Sequence, residues 1–116
     1  MSLSREQILA AQDMTRVEVA VPEWGGSVFV RTMSGTDRDA FERFASDQVK
    51  EGNAGKGLRA YMVSLCAVDD SGAHLFTADD VAALTEKNGA ALERIATAAM
   101  TLNKLLPDSV EAAAKN

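Results

Sequence analysis

Leu58, Tyr61, Met62, Leu65 and Cys66 recur at i, i+3, i+4, i+7 and i+8. That spacing places all five on one side of an α-helix and makes a stripe wide enough to seat in a core. A helix with such a stripe has to bury it against other elements, so the segment is expected to lie at the centre of the fold.

Upstream the period is two. Val17, Val19 and Val21 alternate with Glu18 and Ala20, as in a half-buried strand. Pro22 stops the ladder, and Pro22-Glu23-Trp24-Gly25-Gly26-Ser27 reads as a loop in which glycine supplies positive φ. Val28-Phe29-Val30-Arg31-Thr32-Met33 is the expected return strand of a β-hairpin. Its apolar residues fall on both faces, which suggests a strand covered on both sides. Before the hairpin, Ser4 and Gln7 have the spacing of a capping box, which predicts a short helix from Arg5 to about Gln12.

Downstream the pattern is helical. Ser34-Gly35 breaks the strand, and Thr36 to Asp39 reads as an N-cap with acids in the first turn. Phe41, Phe44, Ala45 and Val49 continue that helix to the glycine-rich loop 52–57. Beyond the striped helix, Val68 to Ala73 holds a turn, and His74-Leu75-Phe76 is an extended crossing. Thr77 to Asp80 repeats the capping pattern ahead of a short helix bearing Val81 and Leu84, closed near Asn88-Gly89. Leu92, Ile95, Ala96, Ala99, Leu102 and Leu106 share one face of a last helix ending at Pro107. The expected fold is therefore α+β, a mostly helical small domain with an N-terminal β-hairpin in the order α-β-β-α-α-α-α. Residues 1–107 form one domain, and 108–116 a frayed C-terminal tail.

The bulk properties exclude several function classes. With 116 residues there is room for one domain, and 47% apolar residues can supply its core. A net charge of −5 without a basic block argues against nucleic acid as a partner. The N-terminus has no apolar signal region, and no apolar run approaches the roughly 20 residues that span a bilayer. One cysteine, Cys66, fits a reducing compartment. These features point to a cytoplasmic protein with no membrane partner.

A search for chemistry is negative. The stretch from Gly52 to Gly57 has a Gly-Lys pair, but Lys50 stands where a phosphate loop needs glycine and Gly57 where it needs Ser or Thr. Asp69-Asp70-Ser71-Gly72 lacks the alternating ligands of a calcium loop and reads as a turn. His74 and Cys66 are the sole histidine and cysteine, too few for a zinc set. Cys66 sits on the apolar stripe, where a small core residue is the simpler reading. No catalytic, cofactor or metal site is expected. Trp24 either folds over the hairpin end or stands free as a partner anchor. Arg31 either pairs with a carboxylate or faces solvent. Phe29 and Met33 are apolar residues that the core can leave outside.

A further indication is the order of several short motifs. Trp24-Gly25-Gly26 is followed by Val28-Phe29-Val30-Arg31-Thr32-Met33-Ser34-Gly35 and Arg38-Asp39-Ala40-Phe41-Glu42. Then come Leu75-Phe76-Thr77-Ala78-Asp79-Asp80-Val81, Lys87, Leu92-Glu93-Arg94-Ile95 and Leu102-Asn103. From about Arg16 to Leu106 the chain resembles the tail assembly chaperones of long-tailed, non-contractile phages and related prophages. The resemblance implies a non-enzymatic protein of the host bacterial cytoplasm. Such a protein binds the tape measure protein, helps tail-tube protein subunits polymerise around it, and is absent from the mature virion. Self-association is a further partner option. The partner-binding set expected here is Trp24, Phe29, Arg31 and Met33. The resemblance also implies a longer product made by ribosomal frameshifting. Ala114-Lys115-Asn116 can be encoded GCA-AAA-AAC, which contains a slippery heptamer, and the gene sequence decides whether it is. The competing readings are a structural tail component, such as a tube or terminator protein, a small cytoplasmic enzyme, and a module that binds a host factor, which a pull-down would separate from the chaperone. Presence in purified virions would mark the first. Activity abolished by His74→Ala or Cys66→Ser with folding intact would mark the second.

Overall fold

The computed structural model describes residues 1–105. The elements run α1 (Arg5–Ala10), β1 (Arg16–Val21), β2 (Gly26–Arg31), α2 (Gly35–Lys50), α3 (Leu58–Cys66), β3 (Ala67–Val68), α4 (Val81–Thr85) and α5 (Gly89–Leu102). The architecture is mixed α+β, as expected, with one strand more than the expected order contains. The strands form one antiparallel sheet in the order β1-β2-β3.

The hairpin forms where the period-two pattern lies. Val17 faces Val30 and Val19 faces Val28 across the ladder, so the valines share one face. Val21 and Val30 on that face are fully buried, and α5 packs across it. The connection is shorter than the sequence suggests. Pro22–Trp24 form a 3-10 turn closed by Gly25, whose φ of 74° is left-handed, and β2 starts at Gly26. It ends at Arg31, so Met33 lies beyond the strand.

β3 was not foreseen. The chain leaves α3 directly into Ala67–Val68, which pair with Val30 and Phe29. A turn at 69–73 then brings His74 back opposite Val68, and the Leu75 N–H bonds to Ala67 O. Two residues are too few to show an alternating period.

The capping chemistry sets the helix boundaries. The N-cap of α2 is Ser34 rather than a residue of Thr36–Asp39, because Ser34 and Asp37 satisfy each other's backbone N–H groups. Thr77 and Asp80 form the expected box ahead of α4. Asn88 does not close α4, which ends at Thr85. Its side chain accepts from Ala91 N–H and starts α5. α1 is closed at Ala10 rather than Gln12. α5 stops at Leu102, short of the expected Pro107, because Lys104 turns left-handed (φ 57°). The Lys104 and Leu105 N–H groups bond back to Thr101 O and Met100 O, which is a Schellman closure. Leu106, Pro107, the tail 108–116 and the Ala114-Lys115-Asn116 hypothesis lie outside the described residues.

α3 is central, but its burial is wider than one stripe. Met62, Val63 and Cys66 are at or near zero exposure, while Tyr61 and Leu65 sit half-buried at its margin. The helix packs against α2, α4 and α5, so a narrow stripe could not serve all three. Phe44 of α2 stacks flat on Tyr61, with ring centroids 4.2 Å apart. Ile95, Ala96 and Ala99 of α5 complete the core beneath the valine face of the hairpin.

Candidate functional site

Among the described residues, the opposite face of the sheet is largely exposed. The ladder puts Arg16, Glu18 and Ala20 of β1 on this face beside Arg31, Phe29 and Ser27 of β2. Phe29 is half-buried here, with the Arg16 guanidinium 4.4 Å from its ring centroid. Arg16 also donates through Nη1 to Asp70 O at 2.7 Å and to Asp69 O at 3.4 Å. Glu18 accepts a hydrogen bond from the Ser27 hydroxyl. Leu75, 47% exposed, completes an apolar floor with Phe29. Glu18, Ser27 and the turn Asp69–Ser71 wall the resulting groove of about 700 Å³.

The turn that forms one wall is internally braced. Asp69 Oδ1 accepts from Ser71 N–H (2.8 Å), the Ser71 hydroxyl (2.7 Å) and Ala73 N–H (3.1 Å). These bonds, the Ser71 hydroxyl above all, hold the Asp69 carboxyl below the usual carboxylate range. Gly72 takes a φ of 89°, which a residue with a Cβ resists.

Behind the groove Arg31 ties the same turn to α2. Its Nη1 donates to Gly72 O at 3.1 Å, and its Nη2 lies 3.4 Å from Asp37 Oδ2. His74 Nε2 is 3.5 Å from that carboxylate oxygen, 3.3 Å from Arg31 Nη2 and 3.0 Å from Leu65 O. The shortest of these contacts requires Nε2 to carry a proton. Asp37 is also the capping partner of Ser34, so one carboxylate fixes the start of α2 and the base of the turn.

The four residues singled out from the sequence are dispersed. Phe29 lies in the groove. Arg31 shares its face but is committed to the Asp37–His74 cluster. Trp24, 38% exposed, stands at the other end of the hairpin, where Glu23 pairs with Arg94 of α5 at 2.9 Å. Arg94 holds the Glu23 carboxyl below its ordinary range. Met33 packs against the core, and its N–H donates to Asn103 Oδ1 at 2.7 Å. Sequence reasoning missed Leu75, Glu18 and the Asp69–Ser71 wall. Strand alternation could have placed Glu18 beside Phe29, but nothing local announces the β2–β3 pairing that brings the turn alongside.

Cys66 and His74 do not form a pair. Cys66 Sγ contacts Met62 Sδ and the Asn103 amide nitrogen inside the core, and its thiol is pushed up to about 12, chiefly by burial. Among the described residues no group of His, Cys, Asp and Glu side chains is placed to hold a metal ion. No helix among them is long and apolar enough to cross a membrane. The groove offers an apolar floor with carboxylates at its rim, an arrangement suited to noncovalent recognition.

The sequence matches the family described as phage tail assembly chaperone over residues 4–116. Among solved structures, the chain is similar to the bacteriophage HK97 tail assembly chaperone, with a TM-score of 0.59 and 19% identity. That alignment covers 88% of this chain and 92% of the other. At this identity the likeness speaks for the fold. No curated protein matches the sequence.

Proposed function

The chain belongs to the phage tail assembly chaperone family, and on that premise we propose that it binds the tape measure protein during tail assembly. It keeps that protein soluble while tail-tube subunits polymerise around it, acts in the host bacterial cytoplasm, and leaves before the particle is finished. The observation that carries this reading is the family match along nearly the whole chain. The physical demand on such a protein is modest and reversible affinity for apolar surface. A long tape measure protein is expected to expose helical apolar faces until the tube encloses it. A shallow groove with an apolar floor suits a contact that must later be given up better than a large permanent interface does. The task requires no bond to be made or broken.

Phe29 is the groove residue best placed to meet such a face, and Trp24 offers a second contact at the hairpin end. Co-expression of the tape measure protein with the chain tests the proposal. The wild-type chain should keep it in the soluble fraction and co-purify with it. Phe29→Ala should weaken capture while the far-UV circular dichroism of the chain stays native-like, and Trp24→Ala should add to the loss. Full capture by the folded double variant would remove the surface from consideration. Mass spectrometry of purified virions that finds this chain as a stoichiometric component would overturn the chaperone reading.

A further inference from the structure

The strand register fixes the width of the groove. Glu18 of β1 lies opposite Phe29 of β2, and Phe29 lies opposite Val68 of β3. Neighbouring strands are about 4.8 Å apart, so Glu18 on one flank and the turn that follows Val68 on the other stand about 10 Å apart, with Phe29 midway. An α-helix with its side chains is about 10 Å across, so one helix lying along β2 fits between the flanks. The floor between them is apolar. Val68 shares the Phe29 face and lies outside the core cluster, with Phe29 half-buried and Leu75 exposed beside it. Three side chains make a narrow floor, which suits a helix with a narrow apolar stripe rather than a broad apolar face.

The flanks carry uncompensated negative charge on both sides. Among the described residues, none of Glu18, Asp69 and Asp70 takes part in an ion pair. Arg16 is close, but its guanidinium lies over the Phe29 ring and donates to the backbone oxygens of Asp69 and Asp70, not to a carboxylate. Charge at the rim of an interface selects its partner, because opposite charges steer encounter and like charges facing each other are costly.

We infer that the groove seats an amphipathic helix whose narrow apolar stripe is bordered on both sides by lysine or arginine. The inference rests on the reading proposed above and deepens it: the helix is a segment of the tape measure protein. Aliphatic side chains of the stripe meet Phe29 and Leu75. Cations on one border reach Glu18, and those on the other reach Asp69 and Asp70. A helix with acidic borders is rejected. Exposed ion pairs around a small apolar floor make a contact that is sensitive to salt and readily given up.

Two synthetic peptides test this with the full chain. Each has about 18 residues, enough to hold a helix, with leucine at i, i+3, i+4 and i+7 spacing. One carries lysine at every bordering position, and its twin carries glutamate there. By fluorescence anisotropy at low salt, the chain should bind the lysine peptide about tenfold or more tightly than the twin, and the difference should shrink as salt rises. The pair Glu18→Lys and Asp70→Lys, both at exposed positions, should reverse the preference. The pair Glu18→Gln and Asp70→Asn should abolish it, so one pair decides if the other fails to fold. As a control, Glu51→Lys with Glu86→Lys changes the net charge by as much, at exposed positions closing α2 and α4, and should keep the preference for lysine. A chain indifferent to peptide charge overturns the inference. So does a preference that the groove pairs leave untouched or that the control pair removes equally. Co-expression with the tape measure protein separates this inference from the reading beneath it. If the wild-type chain and the Glu18→Lys, Asp70→Lys chain keep that protein soluble equally well, the charged rim is irrelevant and the chaperone reading stands. If the wild-type chain fails to capture it while the peptide preference holds, the tape measure reading falls and the specificity of the groove for a basic helix stands.

Discussion

Lys104 occupies a conformation that costs an L-residue about 1 kcal/mol, and glycine would relieve it. It is held there because Leu105, buried just beyond, and the two backbone bonds that close α5 require the turn. Lys104→Gly is therefore expected to stabilise the protein by about 0.5–1 kcal/mol, read as a higher urea midpoint with an unchanged slope. Cys66 makes the opposite kind of statement. Burial raises its thiol to about 12 in the folded chain, above its ordinary value in the unfolded one. The folded state thus holds the proton more tightly. The stability associated with the neutral thiol is fully present below the ordinary thiol range and is lost as pH rises through it toward 12. The expected outcome is a thiol that resists labelling at pH 8 in native buffer and reacts at the rate of global unfolding, with denaturation midpoints falling on the alkaline side. Rapid native labelling would show that α3 opens locally. The core role of this residue was legible from its place on the α3 stripe; the extent of its burial was not.

At the scale of elements, legibility followed the length of the pattern. The valine alternation of the hairpin and the apolar face of α5 were clear because several residues repeat one period. β3 was invisible because two residues repeat nothing, and its strand character comes entirely from pairing with Phe29 and Val30. The groove inherits that limit. Phe29 could be flagged as apolar on the wrong face, whereas Leu75 and the Asp69 turn became its neighbours only through a long-range pairing. Asn88 was placed at the wrong end of a connection because asparagine serves both as N-cap and as helix stop, and only its bond to Ala91 N–H distinguishes them. The two apolar surfaces should respond differently to truncation. Ile95 is fully buried where α5 meets the hairpin, so Ile95→Ala is expected to cost about 2–5 kcal/mol by denaturant unfolding. Leu75 stands in the open groove, and Leu75→Ala should change stability by less than about 0.5 kcal/mol. A large loss at Leu75 would mean that the groove is part of the core rather than a surface for a partner.

At the scale of the whole molecule, the described residues are more extended than their number requires. A chain of this size compacts to a radius of gyration of about 13 Å, whereas the Cα atoms here give 15.0 Å with extents of 46 × 37 × 25 Å. α1 helps account for the difference, because no residue from Met1 to Glu18 is buried, while the core draws on residues from Val21 to Leu105. Stability should therefore divide at the start of β1. Removing residues 1–12 deletes α1 and its cap but no core contact and no strand. The shortened chain is expected to keep its circular dichroism apart from one lost helix, and its unfolding free energy should stay within about 0.5 kcal/mol of the full chain when both are monomeric. Denaturant titrations at low protein concentration check this. A loss of several kcal/mol would mean that α1 folds back onto its own body. An unchanged free energy would show that the first residues add nothing to the stability of the core, as the exposure of every α1 side chain implies.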